Sequence, residues 1–116
     1  MSFDLYARHV EPVRFGAGEV IFRKGDDGDV LYVIGEGEIE LVMGEHVAVR
    51  LREGEMFGEM SIIDHEPRSA DAAAVTDVVL FPINRGLFLV LVQDTPHFAL
   101  EVMKSLADRV RRANPV

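Results

Sequence analysis

The sequence predicts a mainly β domain with C-terminal helices: a small β-roll over residues 10–83 and a helical tail over residues 84–112. Two observations predict it. Short apolar runs alternate with glycine- and acid-rich turns as far as Ile83, and beyond that point the apolar residues recur at helical spacing. The turn segments are Gly16-Ala17-Gly18, Gly25-Asp26-Asp27-Gly28-Asp29, Gly35-Glu36-Gly37, Gly44-Glu45 and Arg52-Glu53-Gly54-Glu55. Strands punctuated so regularly argue for a sandwich or a barrel.

Each element has its own signal. Val30-Leu31-Tyr32-Val33-Ile34 is a continuous apolar run, expected to form a deeply buried strand. Glu38-Ile39-Glu40-Leu41 alternates polar and apolar, as a half-buried strand does. Gly44-Glu45 then reads as a two-residue turn with glycine first, after which Val47, Val49 and Leu51 share one face. Val78-Val79-Leu80-Phe81 is a further strand, and Pro82, which cannot donate to a ladder, is expected to end it. In the tail, Asn84 is placed to cap a short helix carrying Leu87, Phe88, Val90 and Leu91. Thr95-Pro96 reads as the N-cap and first residue of a second helix, with Phe98, Val102, Leu106 and Val110 as its apolar stripe. That helix is expected to run to about Arg112, and Asn114-Pro115 to stop it.

With 116 residues, 48% of them apolar, the chain has material for one cored domain and no room for a second. The absence of cysteine excludes disulfides, zinc–thiolate sites and thiol nucleophiles, and suits a cytoplasmic setting. No apolar stretch approaches the roughly 20 residues needed to cross a bilayer, and the first five residues carry an acid and no basic region, so neither a membrane span nor a secretory signal is read. The formal charge of −8 argues against direct DNA binding, because phosphate contacts need a basic field. Arg109, Arg111 and Arg112 cluster at the end of the last helix, where they complement the helix dipole.

The informative segment is Phe57-Gly58-Glu59-Met60-Ser61-Ile62-Ile63-Asp64-His65-Glu66-Pro67-Arg68-Ser69-Ala70. Gly58 permits close backbone approach, and residues 59–63 can form one helical turn with amides facing an anion. Arg68 offers a two-pronged charge-assisted contact to phosphate oxygens, and Ser69 a hydroxyl donor. Glu59 is an acceptor beside that anion, a combination met by a ligand carrying both a phosphate and a free hydroxyl.

This segment closely resembles the phosphate-binding cassette of the cyclic-nucleotide-binding domain family of catabolite activators, kinase regulatory subunits and gated channels. The resemblance rests on the Phe-Gly-Glu-Met start, the Pro-Arg-Ser-Ala end and the spacing between them. It extends to Gly18-Glu19-Val20-Ile21-Phe22, to residues 25–34, to Gly37-Glu38-Ile39-Glu40 and to residues 88–96. It implies a jelly-roll-like double-stranded β-helix barrel of about eight strands, with a short helix in the cassette and a helical lid. It implies a ligand, cyclic AMP in preference to cyclic GMP, and neither cofactor nor metal. Carried over by position, Arg68 would take the equatorial phosphate oxygens and Glu59 the ribose 2′-hydroxyl. Gly58, Met60, Ser69 and Ala70 would complete the cradle, and Arg109 and Arg112 are candidates to cap the base. Asp71 stands where the family often has a hydroxyl residue that favours guanine, and its carboxylate would either repel phosphate or accept from a base. No output domain follows, so the signal is expected to pass by movement of the last helix to an unidentified protein effector, or within a homodimer.

Alternatives stay open. Glu59 and Arg68 could simply pair with each other in a degenerate barrel that serves as a protein-interaction module. Arg109 and Arg112 could be solvated charges, with Asp108–Arg112 an i,i+4 pair. A cupin-type metal enzyme would need two histidines one residue apart on a strand, whereas His9, His46, His65 and His97 are scattered. Ser61 and Ser69 lack the signature of a nucleophile, so no enzyme is read.

Overall fold

The computed structural model of the protein describes residues 4–43 and 47–113. Its elements follow the order α1 (Asp4–Ala7), β1 (Val13–Phe15), β2 (Val20–Phe22), β3 (Val30–Glu36), β4 (Ile39–Met43), β5 (Val47–Leu51), β6 (Met56–Phe57), α2 (Met60–Ile63), β7 (Asp71–Ala74), β8 (Val78–Asn84), α3 (Arg85–Asp94) and α4 (His97–Ala113). The strands pair antiparallel in two four-stranded sheets, β1-β8-β3-β6 and β2-β7-β4-β5. The jelly-roll therefore consists of two facing sheets, with no ladder joining them into a closed barrel among the described residues.

The continuous apolar runs are continuous because β3 and β8 are buried on both faces. Ile34, Val78 and Leu80 point between the sheets, where they meet Ile39, Leu41, Val49, Leu51, Ala72 and Ala74 from the second sheet. Leu31, Val33, Phe81 and Ile83 point the other way, against Tyr6, Leu91, Phe98 and Val102 of the helices. In β4 the expected alternation holds, with Ile39 and Leu41 buried and Glu40 half-exposed opposite Arg50.

Four local expectations need comment. Pro82 does not end β8: the strand continues to Asn84, with Pro82 opposite Tyr32 of β3. The register with β1 stops at Leu80, so that edge of β8 has no partner asking for the missing N–H. Asn84 caps α3 as expected, its Oδ1 accepting from the Leu87 N–H at 2.8 Å. Thr95 closes α3 by donating its N–H to the Leu91 carbonyl, while its own carbonyl accepts from Phe98; α4 begins at His97, one residue after Pro96. The Asp108–Arg112 pair does not form, because Asp108 takes Lys104 and Arg111, whereas Arg112 reaches Glu55. The Gly44-Glu45 turn and the Asn114-Pro115 stop lie outside the described residues.

Candidate functional site

Arg68 is the centre of the site, and backbone fixes its place. Its N–H donates to the Asp26 carbonyl (2.9 Å) and its carbonyl accepts from Gly25 (2.8 Å), which ties it to the 25–29 turn. From there the guanidinium runs inward. Nη1 donates to the Gly58 carbonyl (2.9 Å) and to Ser61 Oγ (3.1 Å), and Nη2 donates to the Val30 carbonyl (2.9 Å). The guanidinium carbon sits 4.2 Å over the Phe22 ring. Two glycines make room for it. Gly58 has φ +82°, and a Cβ there would come within 2.7 Å of Arg68 Nη1; a Cβ on Gly28 would collide with the guanidinium itself.

Arg68 is 6% exposed, and among the described residues no carboxylate lies within ion-pair distance of it. Its Nε is buried without a hydrogen-bond partner. Burial pulls the guanidinium below its ordinary pKa, opposed by the neighbouring Tyr32, Asp29, Glu59 and Asp26. A buried cation held by carbonyl and hydroxyl dipoles and an aromatic face, with acids nearby but none among the described residues at ion-pair distance, has an anion as its natural complement.

Glu59, the N-cap of α2, is 5% exposed, yet its partner is not Arg68. Its Oε1 accepts from Arg109 Nη1 of α4 at 2.9 Å, and Arg109 Nη2 donates to the Met56 carbonyl at 2.8 Å. One helical turn earlier, the buried Ser105 Oγ accepts from the Met56 N–H (3.0 Å) and donates to the Met56 carbonyl (3.3 Å). At the end of α4, Arg112 donates to the Arg50 carbonyl (2.9 Å) and to Glu55 (3.0 Å). Three polar side chains thus hold α4 across the strand that leads into the cassette. At the far end of α2, Arg85 at the start of α3 donates to the Ile62 carbonyl.

These groups surround a cavity of about 270 Å³. Gly58, Glu59, Met60, Ser61, Arg68, Ser69 and Ala70 supply one side; Phe22 and Leu41 come from the second sheet, and Leu106, Arg109 and Val110 from α4. Two of the residues singled out from sequence are not brought there. Asp71 does not line the cavity; its Oδ1 accepts from the Lys24 N–H at 2.7 Å. Arg112 is engaged with Glu55 and the Arg50 carbonyl, as above. Sequence reading missed Ser61, Ser105, Gly28, Phe22 and Leu41 as parts of the site. Only Ser61 lay inside the motif; the others arrive through long-range register. Among the described residues no cluster of acids and histidines could hold a metal ion.

The model of the cyclic nucleotide-binding domain matches residues 12–95. The chain is 35% identical over 116 residues to the cyclic AMP receptor protein of Thermus thermophilus, covering 96% of this chain and 54% of that protein. It is 30% identical over 112 residues to the CRP-like cAMP-activated global transcriptional regulator of Mycobacterium tuberculosis, covering 92% of this chain and 50% of that protein. The crystal structure of the Thermus thermophilus catabolite activator protein superposes with a TM-score of 0.78 at 34% identity, over 96% of this chain and 55% of that one. The chain spans about half the length of these curated relatives. With the cassette, its buried arginine and the two-sheet jelly-roll in place, the chain belongs to the cyclic nucleotide-binding domain family.

Proposed function

We propose that the chain is a regulatory sensor that binds a cyclic nucleotide, cyclic AMP in preference to cyclic GMP, in the cavity between cassette, second sheet and α4. The observation that carries the reading is the buried Arg68 guanidinium, held by backbone and hydroxyl dipoles with no carboxylate at ion-pair distance among the described residues. A cyclic phosphodiester supplies the single negative charge that this cation lacks, through bonds stronger than those to neutral carbonyls. Glu59 keeps Arg109 on Oε1 and has acceptor capacity left for a ribose 2′-hydroxyl. Gly58, Met60, Ser69 and Ala70 line the same cavity and complete the cradle.

The degenerate reading required Glu59 and Arg68 to neutralise each other, and their separate partners argue against it. The names of the two relatives, a cyclic AMP receptor and a cAMP-activated regulator, support the adenine ligand. Ligand binding would act on α4, whose clamps seat on the strand entering the cassette, and a partner would read that population shift. The partner is an unidentified protein effector or a second copy of the chain: Leu100, Met103 and Val110 leave a 58–60% exposed apolar stripe on α4 at coiled-coil spacing. No catalysis and no direct DNA contact by these residues is proposed. No helix among the described residues is long and apolar enough to cross a membrane, and a cytoplasmic setting is proposed on the absence of cysteine.

The test is calorimetric titration of the chain with cyclic AMP and with cyclic GMP, alongside Arg68→Ala. One-to-one binding that the variant loses while staying folded is the expected result. Equal affinity in the variant removes Arg68 from the site, and no binding to either ligand by a folded wild-type chain overturns the sensor reading.

A further inference from the structure

Ser61 lines the cavity beside Arg68 and has no role in the cradle described above. It lies on α2, is 4% exposed, and its hydroxyl is bonded on both sides. Oγ accepts from Arg68 Nη1 at 3.1 Å and donates to the Gly58 carbonyl at 3.0 Å, and the Val30 carbonyl is 3.5 Å away. Those two carbonyls are the ones that Arg68 itself holds, through Nη1 and Nη2. One buried hydroxyl therefore touches the arginine and reaches both of its backbone acceptors.

Few donors of Arg68 are left for a ligand. Nε is buried, and Gly28 packs on it so closely that a Cβ there would come within 2.3 Å. Nη1 uses both of its protons, on Gly58 and Ser61, and Nη2 uses one on Val30. An anion that takes a two-pronged contact must draw on Nη1 as well as on the second proton of Nη2. Of the two Nη1 acceptors, the Gly58 carbonyl is the one that can let go, because the Ser61 hydroxyl remains as its donor. Without that hydroxyl, the same carbonyl would be left unpaired as the ligand binds.

We infer that Ser61 is a positioning residue for ligand binding: its hydroxyl orients the Arg68 guanidinium and holds the Gly58 carbonyl when an anion draws Nη1 away. The inference rests on the cyclic-nucleotide reading above. In the free chain the hydroxyl is dispensable, since Arg68 alone satisfies both carbonyls. In the liganded chain it is not. A residue that only supported the fold would count equally in both states.

The test is titration of Ser61→Ala with cyclic AMP, set beside the melting temperature of the free variant. Affinity is expected to fall about five- to twentyfold, while the free variant melts within about 4 °C of the wild type. Unchanged affinity would overturn the inference. A larger fall in melting temperature, or a variant that does not fold, would mark a structural role and overturn it as well. The carbon shift of the Gly58 carbonyl, followed by NMR with and without cyclic AMP, is the second readout. It should move further in the variant than in the wild type, and equal movement would contradict the exchange of donors. A wild-type chain that binds neither cyclic AMP nor cyclic GMP would instead overturn the sensor reading beneath.

Discussion

Replacing Arg109 with methionine removes the cation that holds Glu59 and leaves the aliphatic bulk of the side chain. Two bonds go with it, one to the Glu59 carboxylate and one to the Met56 carbonyl. Glu59, with its side chain 7% exposed, is left as a buried charge without its partner, while the side chain of Arg109 is itself 13% exposed. Breaking a buried pair costs about 3–5 kcal/mol, and the partial access of water at Arg109 puts this pair at the lower end, about 3 kcal/mol. In a domain of this size each kcal/mol moves the melting temperature by roughly 3–5 °C, so a fall of roughly 10–15 °C is expected. Thermal unfolding followed by circular dichroism measures it. The double variant Glu59→Gln with Arg109→Met should lose less than the two single losses added together, with a coupling of about 1–3 kcal/mol. A fall of less than about 3 °C in the single variant, or strict additivity in the cycle, would refute the claim that this pair holds α4 to the cassette.

Two further predictions concern Gly28 and Tyr6. Gly28→Ala needs no unusual backbone angle, yet its methyl group collides with the Arg68 guanidinium; it should leave the fold intact and weaken cyclic nucleotide binding about tenfold or more, and unchanged affinity would mean that Arg68 is not seated as described. Tyr6 is pushed up to about 12 by burial, helped by the Glu101 charge, from an ordinary value of 10.0. The unfolded chain ionises first, so the contribution of Tyr6 is fully present below pH 10 and is lost as pH rises from there towards 12. With two tyrosines and no tryptophan in the chain, tyrosinate absorbance reads this directly. Tyr6→Phe should flatten the alkaline loss of stability, and an unchanged slope would assign it elsewhere.

The cassette was legible because it is contiguous. Its glycine, its short helix and its arginine lie within fourteen consecutive residues, 57–70, so local chemistry was enough to place them. The strands were legible for a similar reason, since turn residues and alternation are local signals. What the sequence did not disclose lies in long-range pairings. Arg109 meets Glu59 fifty positions away in the chain, and Ser105 meets Met56 forty-nine positions away. Nothing local distinguishes a helix serine that bridges a strand backbone from one that faces water. The Pro82 expectation failed for the same reason: whether a proline ends a strand depends on where the neighbouring register stops, which is a property of β1 and not of Pro82. Asp71 was read as facing a ligand because its position in the motif is next to Ala70; one step along a strand reverses the side, and its carboxylate belongs to the Lys24 amide.

The four residues from Met56 to Glu59 bear contacts from both directions. Ser105 and Arg109 bind Met56 and Glu59 from α4, while the Gly58 carbonyl between them accepts from Arg68. An anion that took over the donors of Arg68 would release that carbonyl in the same segment on which α4 rests. A ligand shifts an equilibrium only by its differential interaction with the two states, and in the proposed coupling that differential would sit in one short strand and the bend after it. The coupling proposed between ligand and α4 therefore needs no relay through the body of the sheets. It needs only that the Gly58 carbonyl and the Met56 carbonyl clamped by Arg109 lie within the same four residues, which they do.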